Sequence, residues 1–318
     1  MSTSGGLRVG TRGSALALAQ AGQVADELSR LTGSDVSLVR ITTAGDTSAE
    51  PLQIMGGTGV FVAAVREALL ARECDIAVHS LKDLPTGEHP GLVVGAIPPR
   101  ADVRDALCAR DRMTLRGLPS GARIGTGSPR RAAQLRRLRD DLEVVDVRGN
   151  VDTRLRKVRD GELDAVVLAK AGLYRLDRLD AITENFDPFT FVPAPGQGAL
   201  AIEHRAADRE DESAADLVGA LREMDDPHSR AAVVAERALL AALEAGCSAP
   251  VGAWARVVES AAGVPLLELT AVVLSVDGSA AVRKSATGEL ARAEELGSDL
   301  ATQLLAEGAA GLMRERVK

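Results

Sequence analysis

The 318-residue chain is 46% hydrophobic and 26% charged, with a formal net charge of −7; it is long enough for two or three domains of about 100 to 150 residues each and poorly suited to embracing phosphate over its whole surface. Aromatic residues make up only 2%, which excludes a base-stacking platform, and neither an apolar run of membrane-helix length nor a signal-like start is found around MSTSGGLRVG, so no nucleic-acid or membrane partner is expected. Cys74, Cys108 and Cys247 are widely spaced and make no C-x-x-C pair, which argues against a disulfide framework or a metal site and for a reducing compartment, the cytoplasm.

Short apolar runs alternate with segments of helical period, the pattern of an α/β architecture. Leu7 to Gly10, Ser37 to Ile41, Asp75 to His79 and Leu92 to Ile97 read as strands, with helices over Ala15 to Leu31 and Val60 to Arg72. After Pro98 and Pro99 the pattern restarts, with strands over Asp105 to Ala109, Arg123 to Gly125, Glu143 to Val147 and Ala165 to Leu168 and helices over Pro129 to Arg139 and Val151 to Arg159. VGTRGS at 9–14 and IGTGS at 124–128 each open a helix, and DIAV at 75–78 matches DAVV at 164–167. The two halves therefore read as structural relatives, and two such lobes enclose a cleft of the kind that holds small ligands. From about Met224 the texture changes to a long helix over Ser229 to Ala245, three strands near Val251 to Val258, Pro265 to Val273 and Ala280 to Lys284, and a closing helix over Ala291 to Leu305. Three antiparallel strands under helices make a small α+β domain.

Residues 100–160 hold 16 Lys and Arg against 9 Asp and Glu, a basic island in an acidic protein. Arg outnumbers Lys 33 to 5, so a single arginine says little and its placement matters more. Arg12 with Ser14, Arg130 with Arg131, and Arg148 with Arg154 stand at or just after strand ends, in glycine-containing turns that open helices. Free N–H groups and partial positive charge at a helix start, with an arginine fork beside them, suit carboxylate or phosphate. Neither phosphate-loop pattern, G-x-x-x-x-G-K-[ST] or G-x-G-x-x-G, is present at these turns, so carboxylates are the expected ligand. In VHSLKDLP at 78–85, consecutive Lys82 and Asp83 are expected on opposite sides of an extended segment, one for an anion and one for a developing cation. Cys247, in EAGCSAP, reads as an accessible loop thiol, whereas Cys74 and Cys108 read as buried.

Together these segments resemble the hydroxymethylbilane synthase, or porphobilinogen deaminase, family. The resemblance rests on GTRGSALALAQ at 10–20, DIAVHSLKDLP at 75–85, GTGSPRRAAQLRR at 125–137, RGNVDTRLRKV at 148–158, then LAKAGLYRL, PAPGQGAL and AERALLAALEAGCSAPVG. These motifs run in order from residue 10 to 252, and the last 60 or so residues match in texture only. The resemblance implies two α/β lobes like those of periplasmic binding proteins, with an interdomain cleft, and a small C-terminal α+β domain. The expected boundaries are 1–100 with 199–222, 101–198, and 223–318.

It also implies a transferase of tetrapyrrole and heme biosynthesis, acting as a monomer. Four porphobilinogen molecules are joined head to tail on a covalent dipyrromethane cofactor, with release of ammonia and then of hydroxymethylbilane. By matching, Cys247 carries the cofactor through a thioether and Asp83 is the catalytic carboxylate. Lys82, Thr126, Ser128, Arg130 and Arg131 hold the cofactor's carboxylates, and Arg12, Ser14, Gln20, Arg148, Arg154, Arg175 and Gln197 line the substrate and growing chain. The chain departs from many relatives in the loop from Pro51 to Gly59, where Ile54 and Thr58 stand in place of common lysines. The acidic segment HRAADREDESAAD at 204–216 reads as surface. The alternative is a non-catalytic two-lobed binding protein for a small polycarboxylate, which would need neither Asp83 nor an accessible Cys247.

Overall fold

The computed structural model describes residues 6–42, 59–245 and 249–313. In chain order its elements are β1 (Leu7–Arg12), α1 (Ala15–Thr32), β2 (Val36–Ile41), α2 (Gly59–Leu70), β3 (Ile76–Ser80), β4 (Leu92–Ala96), β5 (Asp105–Ala109), β6 (Arg123–Gly125), α3 (Pro129–Leu138), β7 (Glu143–Val145), α4 (Val151–Arg159), β8 (Ala165–Ala169) and α5 (Lys170–Arg175). Then come β9 (Glu184–Asn185), β10 (Leu200–Arg205), α6 (Ala215–Met224), α7 (Pro227–Ala242), β11 (Val251–Glu259), β12 (Pro265–Leu274), β13 (Ala281–Glu289), α8 (Ala293–Ala306) and α9 (Ala309–Met313). The chain forms two compact units, Met1–Arg100 with Ala199–Arg230, and Ala101–Gly198 with Ala231–Lys318.

The first unit holds a five-stranded sheet in the order β2-β1-β3-β10-β4, and the second holds one in the order β7-β6-β8-β5-β9. In each, three parallel strands are followed by one antiparallel neighbour. The likeness of the halves extends to single hydrogen bonds. Asp75, just before β3, accepts from the amide of Arg8 on β1 at 2.8 Å, and Asp164, just before β8, accepts from the amide of Arg123 on β6 at 2.7 Å. The acidic residue ahead of each apolar strand thus ties it to its parallel neighbour.

The central strands are apolar along their length because helices cover both faces. In the first unit Val9, Ile76, Val78 and Ile202 pack against Leu28 of α1 and Leu221 of α6, while Ala77 on the other face meets Val65 and Leu69 of α2. In the second, Ile124 and Val167 pack on Leu135 of α3, and Val166 and Leu168 on Val158 of α4 and Leu173 of α5. Each fully buried leucine, such as Leu28 or Leu135, contributes about 1.5–3 kcal/mol.

The third sheet, β11-β12-β13, is antiparallel and lies in the second unit. Its inner face packs Ala253, Leu267, Leu269 and Ala271 against Ala235 and Leu239 of α7 and Leu300 and Leu304 of α8. β13 runs to Glu289, well beyond the expected Lys284, because its residues 285–289 alternate half-buried and exposed at the sheet edge and carry little apolar signal. The acidic segment at 204–216 departs from the expected surface reading at its start. His204 and Arg205 lie in β10, and with Asp208 they are buried, because β10 is an interior strand of the first sheet and its charges are paired there: the Arg205 guanidinium binds the Leu69 and Cys74 carbonyls and Asp208.

Candidate active site

In the first unit the strand ends β1 and β3 position the expected residues. Arg12 closes β1 and is half-buried, and the Ser14 hydroxyl caps α1 by accepting from the Ala17 amide at 3.3 Å, a use that satisfies one free amide N–H of the first helical turn. Gln20, one and a half turns on, is only 4% exposed, and its side chain donates to Ser80 Oγ at 2.8 Å. Beyond Ser80 the chain makes a 3-10 turn over Leu81–Asp83. Lys82 and Asp83 therefore diverge by about 120° and not by the half-turn of an extended segment, because the Leu84 amide closes the turn on the Leu81 carbonyl at 3.1 Å. Lys82 is exposed and Asp83 half-buried.

The strand carrying this turn is pinned from both faces. Ser80 meets Gln20 on one side, and on the other His79 Nε2 lies 3.1 Å from Glu203 Oε2. The Glu203 carboxylate also receives a bidentate pair from Arg66, Nε at 2.9 Å and Nη2 at 2.7 Å. Burial by itself would raise the Glu203 carboxyl, but His79 and Arg66 outweigh it and hold it down at about 2. The Leu81 amide donates to the Ala199 carbonyl at 3.0 Å, which continues the β3–β10 ladder to the start of the turn.

In the second unit β6 runs into Thr126, Gly127 and Ser128 and then α3, with Pro129 at its first position. Ser128 caps the helix by accepting from the Arg131 amide at 3.4 Å, and its own amide donates to Thr126 Oγ1 at 3.2 Å. A Cβ on Gly127 would stand 2.9 Å from the Val147 carbonyl, so the turn admits only glycine without a shift. Thr126, Arg130 and Arg131 are buried. Arg131 gives Nε and Nη2 to Asp105 Oδ1 at 2.9 and 2.6 Å and Nη1 to the Val167 carbonyl at 3.1 Å. Arg130 Nη1 lies 2.8 Å from Asp105 Oδ2 and donates to the Val192 carbonyl at 2.6 Å.

Asp105 has no exposed surface. Burial pushes its carboxyl up, but Arg130 and Arg131 overcome that and hold it at about 2. Gln197 joins the cluster, donating to Asp105 at 3.0 Å and to the Val103 carbonyl at 2.7 Å. Asp105, the buried counter-charge of Arg130 and Arg131, is a residue whose role sequence reasoning passed over. The available signal was an acid opening the otherwise apolar strand DALCA, a buried charge that needs cationic partners.

Arg154, on α4, is half-buried and donates to the Gly149 carbonyl at 2.8 Å. Arg148 is exposed, 3.6 Å from Asp146. Arg175, at the end of α5, donates to the Gly198 carbonyl at 2.9 Å. Burial lowers the guanidinium pKa of both Arg154 and Arg175, and Arg131 adds to the effect at Arg154. The structure thus gathers Thr126, Ser128, Arg130, Arg131 and Gln197 around one helix start and one buried acid. Cys247 and the loop residues Ile54 and Thr58 lie outside the described residues. Cys74 and Cys108 are buried free thiols, which burial pushes up to about 11 and about 12, so neither is a ready nucleophile.

Cations, hydroxyls and a helix start suit a ligand bearing several carboxylates. Among the described residues Arg130 Nε is buried with no hydrogen-bond partner, a donor left over by the Asp105 cluster. The donor set therefore fits a small acidic group at this turn. No cluster of His, Cys, Asp and Glu able to hold a metal ion occurs among the described residues, and no described helix is long and apolar enough to cross a membrane.

Residues 7–213 match the family model described as porphobilinogen deaminase, dipyromethane cofactor binding domain, and residues 231–306 match the porphobilinogen deaminase C-terminal domain. The chain is 57% identical to porphobilinogen deaminase 1 of Streptomyces coelicolor over 99% of its own length and 100% of the relative's. It is 54% identical to the porphobilinogen deaminase of Leifsonia xyli over 97% of this chain and 94% of that one. Among solved structures, immunogenic lipoprotein A from Vibrio vulnificus is similar with a TM-score of 0.39 and 13% identity, over 68% of this chain and 94% of that one.

Proposed function

The chain belongs to the porphobilinogen deaminase family, and from that premise we propose that it is a hydroxymethylbilane synthase, a transferase of porphyrin biosynthesis that joins four porphobilinogen molecules head to tail. Its cofactor is dipyrromethane, the group named in the family model that covers residues 7–213. When bound, that group supplies the pyrrole carbon on which the chain grows. The observation that carries the reading is the match of both family domains along nearly the whole chain. The two-lobed binding-protein alternative is not favoured, since the matched relatives are named as enzymes.

Cys247 holds the cofactor through a thioether. Lys82, Thr126, Ser128, Arg130 and Arg131 hold its acetate and propionate groups, an assignment supported by the donor Arg130 leaves over. Arg12, Ser14, Gln20, Arg148, Arg154, Arg175 and Gln197 serve the incoming substrate and the elongating chain. Within this set Gln20 and Gln197 act by holding their neighbours, Ser80 and Asp105, as their burial supports.

Loss of ammonia from the aminomethyl carbon of porphobilinogen leaves a cation shared between that carbon and the pyrrole nitrogen. The Asp83 carboxylate stabilises this cation, a charge interaction worth far more in a site shielded from water than in bulk solvent. Asp83 also helps to protonate the leaving amine and accepts the ring proton released when the new carbon–carbon bond has formed. Its place on a short, closed turn at a strand end fixes the charge without a reorganisation cost at the moment of reaction.

We take the domains to be 1–100 with 199–222, 101–198 and 223–318, a division supported by the presence of one sheet in each. Two buried free thiols suit a reducing compartment, and we place the enzyme in the cytoplasm. The test is the intact mass of the purified protein together with ammonia release from porphobilinogen. A covalent increment of two pyrrole units and steady ammonia release are expected. An unmodified mass with no ammonia release from folded protein would return the chain to the binding-protein reading.

A further inference from the structure

The two arginines assigned to the cofactor's carboxylates sit on α3, and the outer face of that helix is partly covered. The tip of the β12–β13 hairpin rests on it. Arg136 Nη1 donates to the Val276 carbonyl at 2.9 Å and Arg137 Nη1 approaches the Ser279 carbonyl at 3.5 Å. Below the tip, Ala133 of α3 shares a small apolar core with Val192, Val272 and Leu274. The contact at Gly278 is close enough to exclude a side chain. A Cβ there would fall 2.4 Å from the Ala133 carbonyl oxygen and 3.1 Å from the Arg137 amide nitrogen.

The tip is itself rigid. Asp277 Oδ1 accepts from Ser275 Oγ at 2.5 Å, Ser279 Oγ at 2.8 Å and the Ser279 amide at 3.1 Å, and the Gly278 amide donates to the Ser275 carbonyl at 2.9 Å. On the opposite face of α3, Arg131 is bonded to Asp105, and on the flank between, Gln134 is bonded to both the amide and the carbonyl of Val192. The helix is therefore clamped between a buried acid on one side and a stiff hairpin on the other. A clamped ten-residue helix transmits a displacement of its outer face to its inner one, since close-packed elements shift as units.

We propose that the 275–280 hairpin of the C-terminal sheet, through Gly278 and the Val276 carbonyl, is a positioning element for Arg130 and Arg131, so that this sheet sets the geometry of carboxylate binding. The proposal rests on the reading of these arginines as carboxylate holders. Gly278 and Arg136 are positioning residues with no direct contact to substrate.

A control exists in the same sheet. Gly263, in the β11–β12 turn, has φ of +74° against +76° at Gly278, but a Cβ on it meets nothing within 4 Å. Alanine at either position carries the same backbone strain, and only Gly278→Ala presses on α3. The experiment measures amide hydrogen exchange over 129–138, thermal midpoint, and KM and kcat for porphobilinogen on wild-type, Gly278→Ala, Gly263→Ala and Arg136→Ala holoenzymes. Gly278→Ala is expected to speed exchange in α3 by at least about fivefold and raise KM about tenfold, the scale of a displaced binding group. Arg136→Ala should shift both in the same direction by less, and Gly263→Ala should lower the thermal midpoint alone. Should Gly278→Ala fail to fold, the Arg136→Ala exchange and KM decide the matter. Unchanged exchange in α3, faster exchange with an unchanged KM, or equal effects from both glycine variants overturn the proposal. Exchange reads the clamp without any turnover, so its failure is distinct from a failure of the porphobilinogen reading.

Discussion

Replacing Asp105 by Asn removes one charge and almost no volume, and it leaves Arg130 and Arg131 facing each other in a buried site. Asp105 has no exposed surface and lies within 2.8 Å of both guanidinium groups. Its carboxyl is held at about 2 against an ordinary 3.8, which by linkage corresponds to about 2 kcal/mol of stability. Stranding two buried cations adds to that, and losing one partner of a buried ion pair costs about 3–5 kcal/mol in all. The sign follows from the depressed value. The carboxylate contributes its full stabilisation above about pH 4, and the contribution is lost as pH falls from about 4 through 2, about half of it being gone by pH 3.

Urea unfolding of wild type and Asp105→Asn, followed by circular dichroism at pH 7, 4 and 3, compares the two directly. The free-energy difference between them should be about 3–5 kcal/mol at pH 7 and should narrow by about 1 kcal/mol at pH 3. Acids common to both proteins, including Glu203, cancel in that difference. A gap below about 1 kcal/mol at pH 7, or one that does not vary with pH, would show that Asp105 is not the counter-charge holding the two arginines.

Cys247→Ser should give folded protein without a stable two-pyrrole mass increment and with negligible ammonia release; Cys74→Ala or Cys108→Ala should keep the increment and cost about 1–2 kcal/mol in urea unfolding, as for a buried small residue. Asp83→Asn should slow single-turnover ammonia release by at least about 10²-fold on cofactor-loaded enzyme, the loss of one preorganised charge of about 3 kcal/mol, with Asp83→Glu intermediate; a wild-type rate in the Asn variant would assign the cation to another group. Arg131→Leu should both block cofactor assembly and destabilise the fold, since it strands Asp105, whereas Arg154→Leu should leave the thermal midpoint within a few degrees and impair elongation. Native mass spectrometry after limited porphobilinogen distinguishes the two, and identical ladders of bound intermediates in both variants and wild type would refute that division.

Much of the architecture is local chemistry and was legible in the sequence. The turns at 9–14 and 124–128 open helices that Ser14 and Ser128 cap, and the apolar runs at 76–80, 105–109 and 165–169 are strands buried inside their sheets. The duplicated turns and the acids before β3 and β8 were visible as short repeats, and each pair does the same work in its own sheet. What the sequence could not show is which charges are spent inside the fold. Arg131 was read for a ligand carboxylate alone, and the fold gives it an internal partner as well, Asp105, 26 residues away, while Glu203 finds Arg66 at a separation of 137. Such pairs depend on strand order and register, so no local spacing encodes them. A buried carboxylate is tolerable only where several elements bring cations and donors to it at once, and tertiary packing alone decides where that happens.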